Sequence, residues 1–230
     1  MITVSKEDYV KAILEAESEG RTVISTTLAD WLSVSRPAIT LAVRRLKKDG
    51  LVSVHGRRLK LTPSGRRIAL RVTLRHHLVE RMLGEIFGME WYRVHDEAER
   101  LEHAVSPAFE ARLLARLGNE GTCPHGNLSE LEDPASRRSR GLLLLAQAEP
   151  GKNYVVSGIY ERDRRLLEFL EARGIRPGAR VRVKQSEKNR ALTLITDAGP
   201  VTLGRSAAQR IWVSKRSSSS VLGTKRSKNN

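Results

Sequence analysis

The chain has 230 residues and carries 41 Lys and Arg against 26 Asp and Glu, which gives a formal net charge of +15. Its hydrophobic content of 40% is ordinary for a globular protein, and no apolar run approaches the ~20 residues that span a bilayer. The single cysteine argues against a disulfide framework and favours the reducing cytoplasm. A basic excess of this size predicts an anionic partner such as nucleic acid.

Hydrophobic spacing predicts three helices at the N-terminal end, over about 5–19, 26–32 and 35–48. The segment "LVSVHGRRLKLTP" alternates on both sides of its glycine and predicts a two-stranded hairpin. Ser35 is a favourable N-cap for the third helix, and Pro37 in its first turn removes no needed N–H. This order of elements is typical of a winged helix-turn-helix domain.

The third predicted helix has an apolar side and a basic side, which suits a DNA recognition helix. Arginine and lysine side chains can contact phosphates, and small or hydroxyl side chains near the helix start can reach base edges. Leu41 falls on the polar side, where contact with a thymine methyl would explain it. The basic hairpin tip suits contact with the DNA backbone or minor groove. The predicted DNA-contacting residues are Ser35, Arg36, Pro37, Ala38, Thr40, Leu41, Arg44, Arg45, Lys48, Arg57 and Arg58.

The remaining chain predicts a helical region followed by a β-rich region. Helices are expected over 64–87, 90–105 and 107–117, and residues 118–150 have the composition of a linker. The β-patterned segment 154–213 predicts a small SH3-like barrel. The predicted units are a winged-helix domain over 1–72, a helical domain over 73–140, an SH3-like domain over 150–214 and a disordered basic tail over 215–230.

The helix containing "VHDEAERLEHAVSP" has many acids for so basic a chain. At about 100° per residue, His95, Glu99, Glu102 and His103 share one side of a helix, at the edge of its apolar stripe. Carboxylates four residues apart repel one another, and a bound cation would offset that repulsion. A solvated acidic helix face is the alternative reading of the same pattern.

Other donors lie where they could complete such a site. His76 and Glu80 are four residues apart on the long helix and therefore share a face. Cys123 and His125 lie in the loop "TCPHG". Carboxylates with a few histidines favour a hard or borderline divalent ion.

Four segments of the chain form a recognisable set: "EDYVKAILEAESEG", "SRPAITLAVRRLKKDGLV", "LTPSGRRIALRVTLRHHLVERML" and "VHDEAERLEHAVSP". With these motifs the sequence resembles the diphtheria-toxin-repressor family of metal-dependent transcriptional repressors over nearly its full length. That resemblance implies a homodimer with a winged-helix domain, a helical metal-binding and dimerisation domain and often a C-terminal SH3-like domain. It also implies a double-stranded, palindromic DNA operator as the partner, and no membrane partner is expected.

The resemblance also implies two metal sites. The primary site would comprise Asp8, Glu99, Glu102 and His103. The ancillary site would comprise His76, Glu80 and His95, with Glu161 from the SH3-like domain. Some members use a loop cysteine and histidine in the second site, so the resemblance leaves open whether His95, or Cys123 and His125, complete it.

The residue types at the primary site bear on the choice of metal. Iron-responsive members have methionine and cysteine where this chain has Asp8 and Glu99, whereas manganese-responsive members have oxygen ligands there. Mn²⁺ prefers carboxylate oxygen to thioether or thiolate sulfur, so we expect Mn²⁺, with Fe²⁺ or another divalent transition metal as the alternative. Small manganese regulators have a glutamate at the position of Lys11, so their binuclear geometry does not transfer directly.

The sequence predicts a regulator in which metal joins the DNA-binding and dimerisation domains and sets the spacing of the recognition helices. The first rival is a metalloenzyme, but the chain contains no nucleophile motif or phosphate-binding loop. The second rival is a winged-helix regulator that senses another signal, with a purely structural metal cluster.

Overall fold

The computed structural model describes residues 4–118, 120–128, 131–186 and 190–215. The predicted disordered tail lies outside the described residues except for Lys215, which ends the last strand. Within the described ranges, no helix combines the length and apolar character needed to cross a membrane.

The N-terminal unit confirms the predicted order of three helices and a hairpin. It consists of α1 (Val4–Ser18), α2 (Ser25–Trp31), α3 (Arg36–Lys48), β1 (Val52–His55) and β2 (Arg58–Leu61). Apolar side chains from all three helices and both strands form its core. The polar face of α3 is thereby left towards solvent.

A long helix links this unit to the helical region. α4 (Pro63–Arg81) is capped by Thr62 and continues as a π-helical turn over Met82–Ile86. The helix predicted over 64–87 is therefore present, but its last turn is π-helical instead of α-helical. Buried residues of α4 pack against α1 on one side and the next helices on the other.

The segment "VHDEAERLEHAVSP" is less helical than predicted. α5 (Val94–Leu101) begins four residues after the expected start at 90, and Glu102–Ala104 form a single 3₁₀ turn. The expected helix over 90–105 was therefore too long, and Glu102 and His103 leave the 100° spacing assumed for them. α6 (Pro107–Leu117) lies where predicted, with Ser106 as its N-cap.

The segment predicted as a linker contains ordered elements. α7 (Pro134–Ser139) is capped by Asp133, and β3 (Leu142–Leu144) pairs antiparallel with the last strand. The sheet therefore begins before residue 150, where the β unit was expected to start. The paired residues are about 70 positions apart in the chain. A pairing over this distance produces no local sequence pattern from which it could be predicted.

The C-terminal unit is an antiparallel sheet in the order β3-β8-β4-β5-β6-β7. This agrees with the predicted SH3-like antiparallel β unit, but β3 and β7, the two outer strands, do not pair with each other among the described residues, so the sheet is open and does not close into the expected barrel. The sheet covers one apolar core with two helices. The remaining elements are β4 (Asn153–Ile159), α8 (Arg164–Glu171), β5 (Arg180–Ser186), β6 (Ala191–Thr196), β7 (Gly199–Gly204), α9 (Arg205–Ala208) and β8 (Ile211–Lys215).

The open sheet contacts the N-terminal unit directly. The indole N–H of Trp31 donates to the Tyr160 hydroxyl at 3.1 Å. The guanidinium of Arg162 pairs with Glu15 on α1 and lies 5.2 Å from the Trp31 ring centre. These contacts place the residues after β4 beside α1.

Candidate metal centres and DNA-binding surface

The first candidate metal centre joins the N-terminal unit to the helical region. Asp8 comes from α1, and Glu102 and His103 come from the 3₁₀ turn after α5. The His103 Nε2 atom lies 2.7 Å from Asp8 Oδ1 and 3.4 Å from Glu102 Oε1. One donor atom from each residue lies within 4.8 Å of the others, a separation that one cation could span. We call these three residues the hinge cluster.

The structure places Glu99 beside the hinge cluster instead of within it. Lys11 is 2% exposed, and its ammonium group donates to Glu99 Oε1 at 2.9 Å and to Glu102 Oε2 at 2.7 Å. It also lies 3.1 Å from His76 Nδ1. The buried ammonium thus supplies a positive charge to the same carboxylates that a metal would bind.

Lys11 also explains the ionisation of the neighbouring acids. Burial opposes the charged form of Glu99, but the charges of Lys11, His76 and Arg162 outweigh it and lower the pKa of Glu99 to about 2. Burial likewise opposes ionisation of Glu102, whose pKa is lowered by a hydrogen bond with His76 and the charge of Lys11. Both carboxylates are therefore anionic at neutral pH, the form a metal requires.

Two residues that sequence reasoning missed orient His103. Glu7 Oε2 lies 3.0 Å from His103 Nδ1, and Arg75 donates to Glu7 Oε1 at 3.3 Å. A carboxylate on one ring nitrogen fixes the tautomer and directs the other nitrogen towards a metal. The signal in the sequence was the acid directly before Asp8.

The second candidate centre is almost fully buried. His76 and Glu80 on α4, His95 on α5 and Glu161 after β4 each offer a donor atom within 4.8 Å of the others. Glu80 Oε1 lies 3.1 Å from His76 Nε2 and 3.2 Å from His95 Nδ1. This is the ancillary set implied by the resemblance, brought together from three separate elements.

Cys123 and His125, the alternative donors in the loop "TCPHG", lie beside the same two carboxylates. His125 Nδ1 lies 3.4 Å from Glu80 Oε1, and Cys123 Sγ lies 3.8 Å from Glu161 Oε2. His95 and the loop residues thus lie around one shared pair of acids and do not define separate places. We call His76, Glu80, His95, Cys123, His125 and Glu161 the interior cluster.

Several donor atoms of this region have no hydrogen-bond partner. Glu80 Oε2 and His125 Nε2 are buried and unpaired among the described residues, although almost all buried polar atoms in proteins are paired. Burial raises the pKa of the Cys123 thiol well above its usual value, so a metal must displace its proton. Unpaired donors next to anionic carboxylates fit a cation-binding site.

Backbone contacts hold the cysteine loop against the sheet. The Ile159 N–H donates to the His125 carbonyl at 2.9 Å, and the Asn127 amide donates to Glu161 Oε2 at 2.6 Å. Gly126 has a φ of +82°, and a Cβ there would lie 2.2 Å from the Ser157 carbonyl oxygen. Only glycine allows this approach.

The candidate DNA-binding surface is separate from both clusters. Ser35 caps α3 by accepting from the Ala38 N–H at 3.4 Å, and Leu41 is 50% exposed on the outer face of the helix. The hairpin turns between His55 and Arg58, which places its basic tip in solvent. The exposed candidate residues are Ser35, Arg36, Pro37, Ala38, Thr40, Leu41, Arg44, Arg45, Lys48, Arg57 and Arg58.

Comparisons with known proteins agree with this organisation. The family described as "Iron dependent repressor, N-terminal DNA binding domain" matches residues 1–59, and "Iron dependent repressor, metal binding and dimerisation domain" matches residues 62–129. The "FeoA domain" matches residues 143–215. The "Iron-dependent repressor IdeR" of Mycobacterium leprae (strain TN) is 35% identical over 221 residues, covering 91% of this chain and 96% of that protein.

The chain belongs to the diphtheria-toxin-repressor family. Members are transcriptional repressors and not enzymes, which removes the metalloenzyme rival. The solved structure of a "Manganese-dependent transcriptional repressor complex with manganese" superposes with a TM-score of 0.81 at 34% identity, covering 92% of this chain and all of the other. The structure of "ScaR with bound Zn2+" gives a TM-score of 0.76 at 28% identity, covering 92% of this chain and 99% of the other.

Proposed function

We propose that this family member is a Mn²⁺-responsive repressor in which the hinge cluster links metal binding to DNA binding. Asp8 belongs to the unit that carries α3, whereas Glu102 and His103 belong to the helical region. A divalent cation held by these side chains would neutralise their charge and cross-link the two units. Asp8 then fixes α1, and with it the direction of α3, relative to the helical region.

The single observation that carries the proposal is the convergence of Asp8 with Glu102 and His103. Two carboxylates and one imidazole form a predominantly oxygen donor set, which suits a hard ion such as Mn²⁺. Glu99 lies next to this set, bound to Lys11. We propose that Glu99 completes the primary site by rotating away from the ammonium when a metal binds.

We propose that the active form is a homodimer on a palindromic operator. The helical region carries several large, exposed apolar side chains that a second subunit would cover. Two recognition helices in one dimer must lie ~34 Å apart, or a multiple of it, to enter successive major grooves. A metal at the hinge cluster would select the domain orientation that gives this spacing from the wider range of orientations of the metal-free dimer. The exposed apolar residues are Leu70, Ile86, Phe87, Leu101 and Phe109.

Fe²⁺ is the second candidate because Cys123 adds a softer donor near Glu161. In this alternative, Fe²⁺ bound with the help of the Cys123 sulfur would govern DNA binding in this chain, since the hinge region offers no sulfur donor among Asp8, Glu99, Glu102 and His103. The manganese proposal requires the hinge cluster to govern it. The two functions therefore differ in which cluster sets the response.

The test is a DNA-binding titration with Mn²⁺, Fe²⁺, Zn²⁺ or a chelator, using fluorescence anisotropy on operator fragments. We expect Mn²⁺ to give the DNA-competent dimer at micromolar free concentrations, whereas tight Zn²⁺ binding alone is uninformative because Mn²⁺ is the weakest binder of the first-row series. Asp8→Met with Glu99→Cys should shift the response towards Fe²⁺. A wild-type response to Fe²⁺ without one to Mn²⁺ would contradict the manganese assignment.

A further inference from the structure

Trp31, the last residue of α2, lies where the N-terminal unit contacts the C-terminal sheet. Its indole N–H donates to the Tyr160 hydroxyl at 3.1 Å. Two guanidinium groups lie near the centre of its ring, that of Arg162 at 5.2 Å and that of Arg21 at 5.6 Å. Guanidinium groups within about 6 Å of an indole ring are attracted by its π electrons. Trp31 therefore attracts one cation from the sheet and one from its own unit.

Arg162 contacts three helices that belong to two different units. Its guanidinium pairs with Glu15 on α1 and lies 3.6 Å from Glu99 Oε1 on α5, in addition to its contact with Trp31 on α2. The side chain is only 17% exposed, and a cation removed from water needs such partners to offset its lost hydration. Because the partners lie on separate elements, the full set of contacts forms only in one relative placement of α1, α2 and α5.

The turn that carries Arg162 is anchored on its N-terminal side. The Tyr160 N–H donates to the Arg210 carbonyl at 2.9 Å. The Asn127 amide donates to Glu161 Oε2 at 2.6 Å. Both residues before Arg162 are therefore hydrogen-bonded to other segments, and its side chain extends from a support with a defined position on the sheet.

We propose that Arg162 is a positioning residue that holds α1 and α2 in the orientation in which Asp8 meets the rest of the hinge cluster. It acts through Glu15, which lies about two helical turns after Asp8 on α1, and through Trp31, which ends the helix before α3. The C-terminal sheet thereby supports the unit that carries the recognition helix. The inference rests on the proposed function, because this orientation controls DNA binding only if the hinge cluster does.

The alternative is that Arg162 acts only through its charge. It lies beside Glu99, which also pairs with Lys11 at 2.9 Å, so this cation would compete with a metal for that carboxylate. Removing a competitor should strengthen the metal response. Removing a positioning residue should weaken it, because the metal must then also order the two units. The two roles therefore predict shifts in opposite directions.

A Mn²⁺ titration of operator binding separates these roles in Arg162→Gln, Arg162→Lys and the matched control Arg21→Gln. Arg21 contacts the same ring and pairs with Glu19 at 3.1 Å, but all three residues belong to the N-terminal unit. We expect Arg162→Gln to raise the Mn²⁺ concentration at half-maximal binding about fivefold or more, the lower end of usual coupling between sites, with an unchanged plateau. Arg162→Lys, which keeps the charge, should be raised by less, and Arg21→Gln should match wild type.

A second measurement needs no metal. Hydrogen–deuterium exchange of the full chain in chelator, followed by mass spectrometry, reports how firmly each segment is held. Peptides from α1 and α2 should exchange faster in Arg162→Gln than in wild type, because these helices lose their contact with the sheet. Peptides from β7, at the edge of the sheet, should exchange at the wild-type rate.

Three results would overturn the proposal. A lowered midpoint in Arg162→Gln, with wild-type behaviour in Arg162→Lys, would assign the residue a purely electrostatic role. Unchanged midpoint and exchange in Arg162→Gln would remove it from the mechanism. Equal shifts in Arg162→Gln and Arg21→Gln would reduce the contact to local stability of the N-terminal unit. A wild type without a Mn²⁺ response contradicts the proposed function instead, and the exchange rates then decide whether Arg162 holds the two units together.

Discussion

The hinge cluster and the interior cluster lie on opposite sides of His76, whose ring also contacts the Lys11 ammonium. The two clusters differ in the exposure of Asp8 and in their donor atoms. Asp8 in the hinge cluster is 36% exposed, whereas every residue of the interior cluster is buried or nearly so; Glu102 of the hinge cluster is as fully buried as Glu80 of the interior cluster. The first contains oxygen donors and one imidazole, and the second adds sulfur. Between them, His76 contacts Glu102 on one side and Glu80 on the other. The oxygen-rich set suits a hard ion, whereas the set that includes sulfur suits a softer one.

The largest expected effect is the loss of Mn²⁺-dependent DNA binding when the hinge cluster loses a donor. His103→Ala should abolish Mn²⁺-dependent DNA binding, because it removes the donor that faces Asp8, and should leave the fold intact. The measurement is anisotropy on operator DNA with Mn²⁺ and with chelator. Glu97→Ala is the matched control, since Glu97 is on α5 but pairs with Arg100 in solvent. A normal Mn²⁺ response in His103→Ala would remove the hinge cluster from the mechanism.

The next effect is confined to the interior cluster. Glu161→Gln should weaken metal binding there at least about tenfold, because a carboxylate shared by both donor sets becomes neutral. The Mn²⁺ response of DNA binding should persist. Calorimetric titration measures the affinities, with Glu168→Gln on the exposed side of α8 as control. Equal affinities in wild type and Glu161→Gln would show that the sheet supplies no ligand.

A third change tests the buried ammonium beside the hinge cluster. Lys11→Met should destabilise the metal-free protein by about 3 kcal/mol, because it leaves the buried Glu102 carboxylate with His76 as its remaining cationic partner and removes the partner of Glu99. Lys6→Met breaks a partly exposed pair with Asp49 and should change stability by about 0–1 kcal/mol. Urea unfolding in chelator measures both. Mn²⁺ should restore part of the stability lost in Lys11→Met, and equal effects of the two substitutions would contradict the charge-replacement argument.

The smallest effect is an acid-dependent loss of stability in the metal-free protein. The folded pKa of Glu99 is about 2, below its usual 4.5, and that of Glu102 is also lowered. Their contribution is therefore complete above about pH 4.5 and disappears as the pH falls towards the folded values. Because Glu99 is 35% exposed, solvent screening reduces its share. Urea unfolding from neutral pH to about pH 3 should show a smaller loss in Glu99→Gln than in wild type.

Local signals allowed the N-terminal unit to be predicted from sequence. The Ser35 cap, the proline at the start of α3 and the basic hairpin tip act within a few residues, and the structure has the predicted helix and hairpin at these positions. The C-terminal sheet was predicted less well because β3 pairs with β8, far along the chain. No periodicity in either strand specifies its partner.

The candidate metal centres show the same limit. The resemblance supplied Asp8 and Glu161, but the position of Glu99 depends on Lys11, a long-range contact 88 residues away. Sequence reasoning did not consider His77, which follows His76 on α4 and which the structure places beside Glu80, Cys123 and Glu161. Glu80 lies on the same helix, but Cys123 and Glu161 come from elements distant in the chain, so no local pattern predicts this arrangement.

The close approach of Gly126 to the sheet has a consequence for interpreting sequence variation. A side chain at this position would collide with the Ser157 carbonyl and displace the loop that carries Cys123 and His125. Gly126→Ala should therefore impair metal retention about as severely as loss of a ligand, although glycine has no donor atom. Searches for inactivating variants that count only donor side chains would classify this position as neutral.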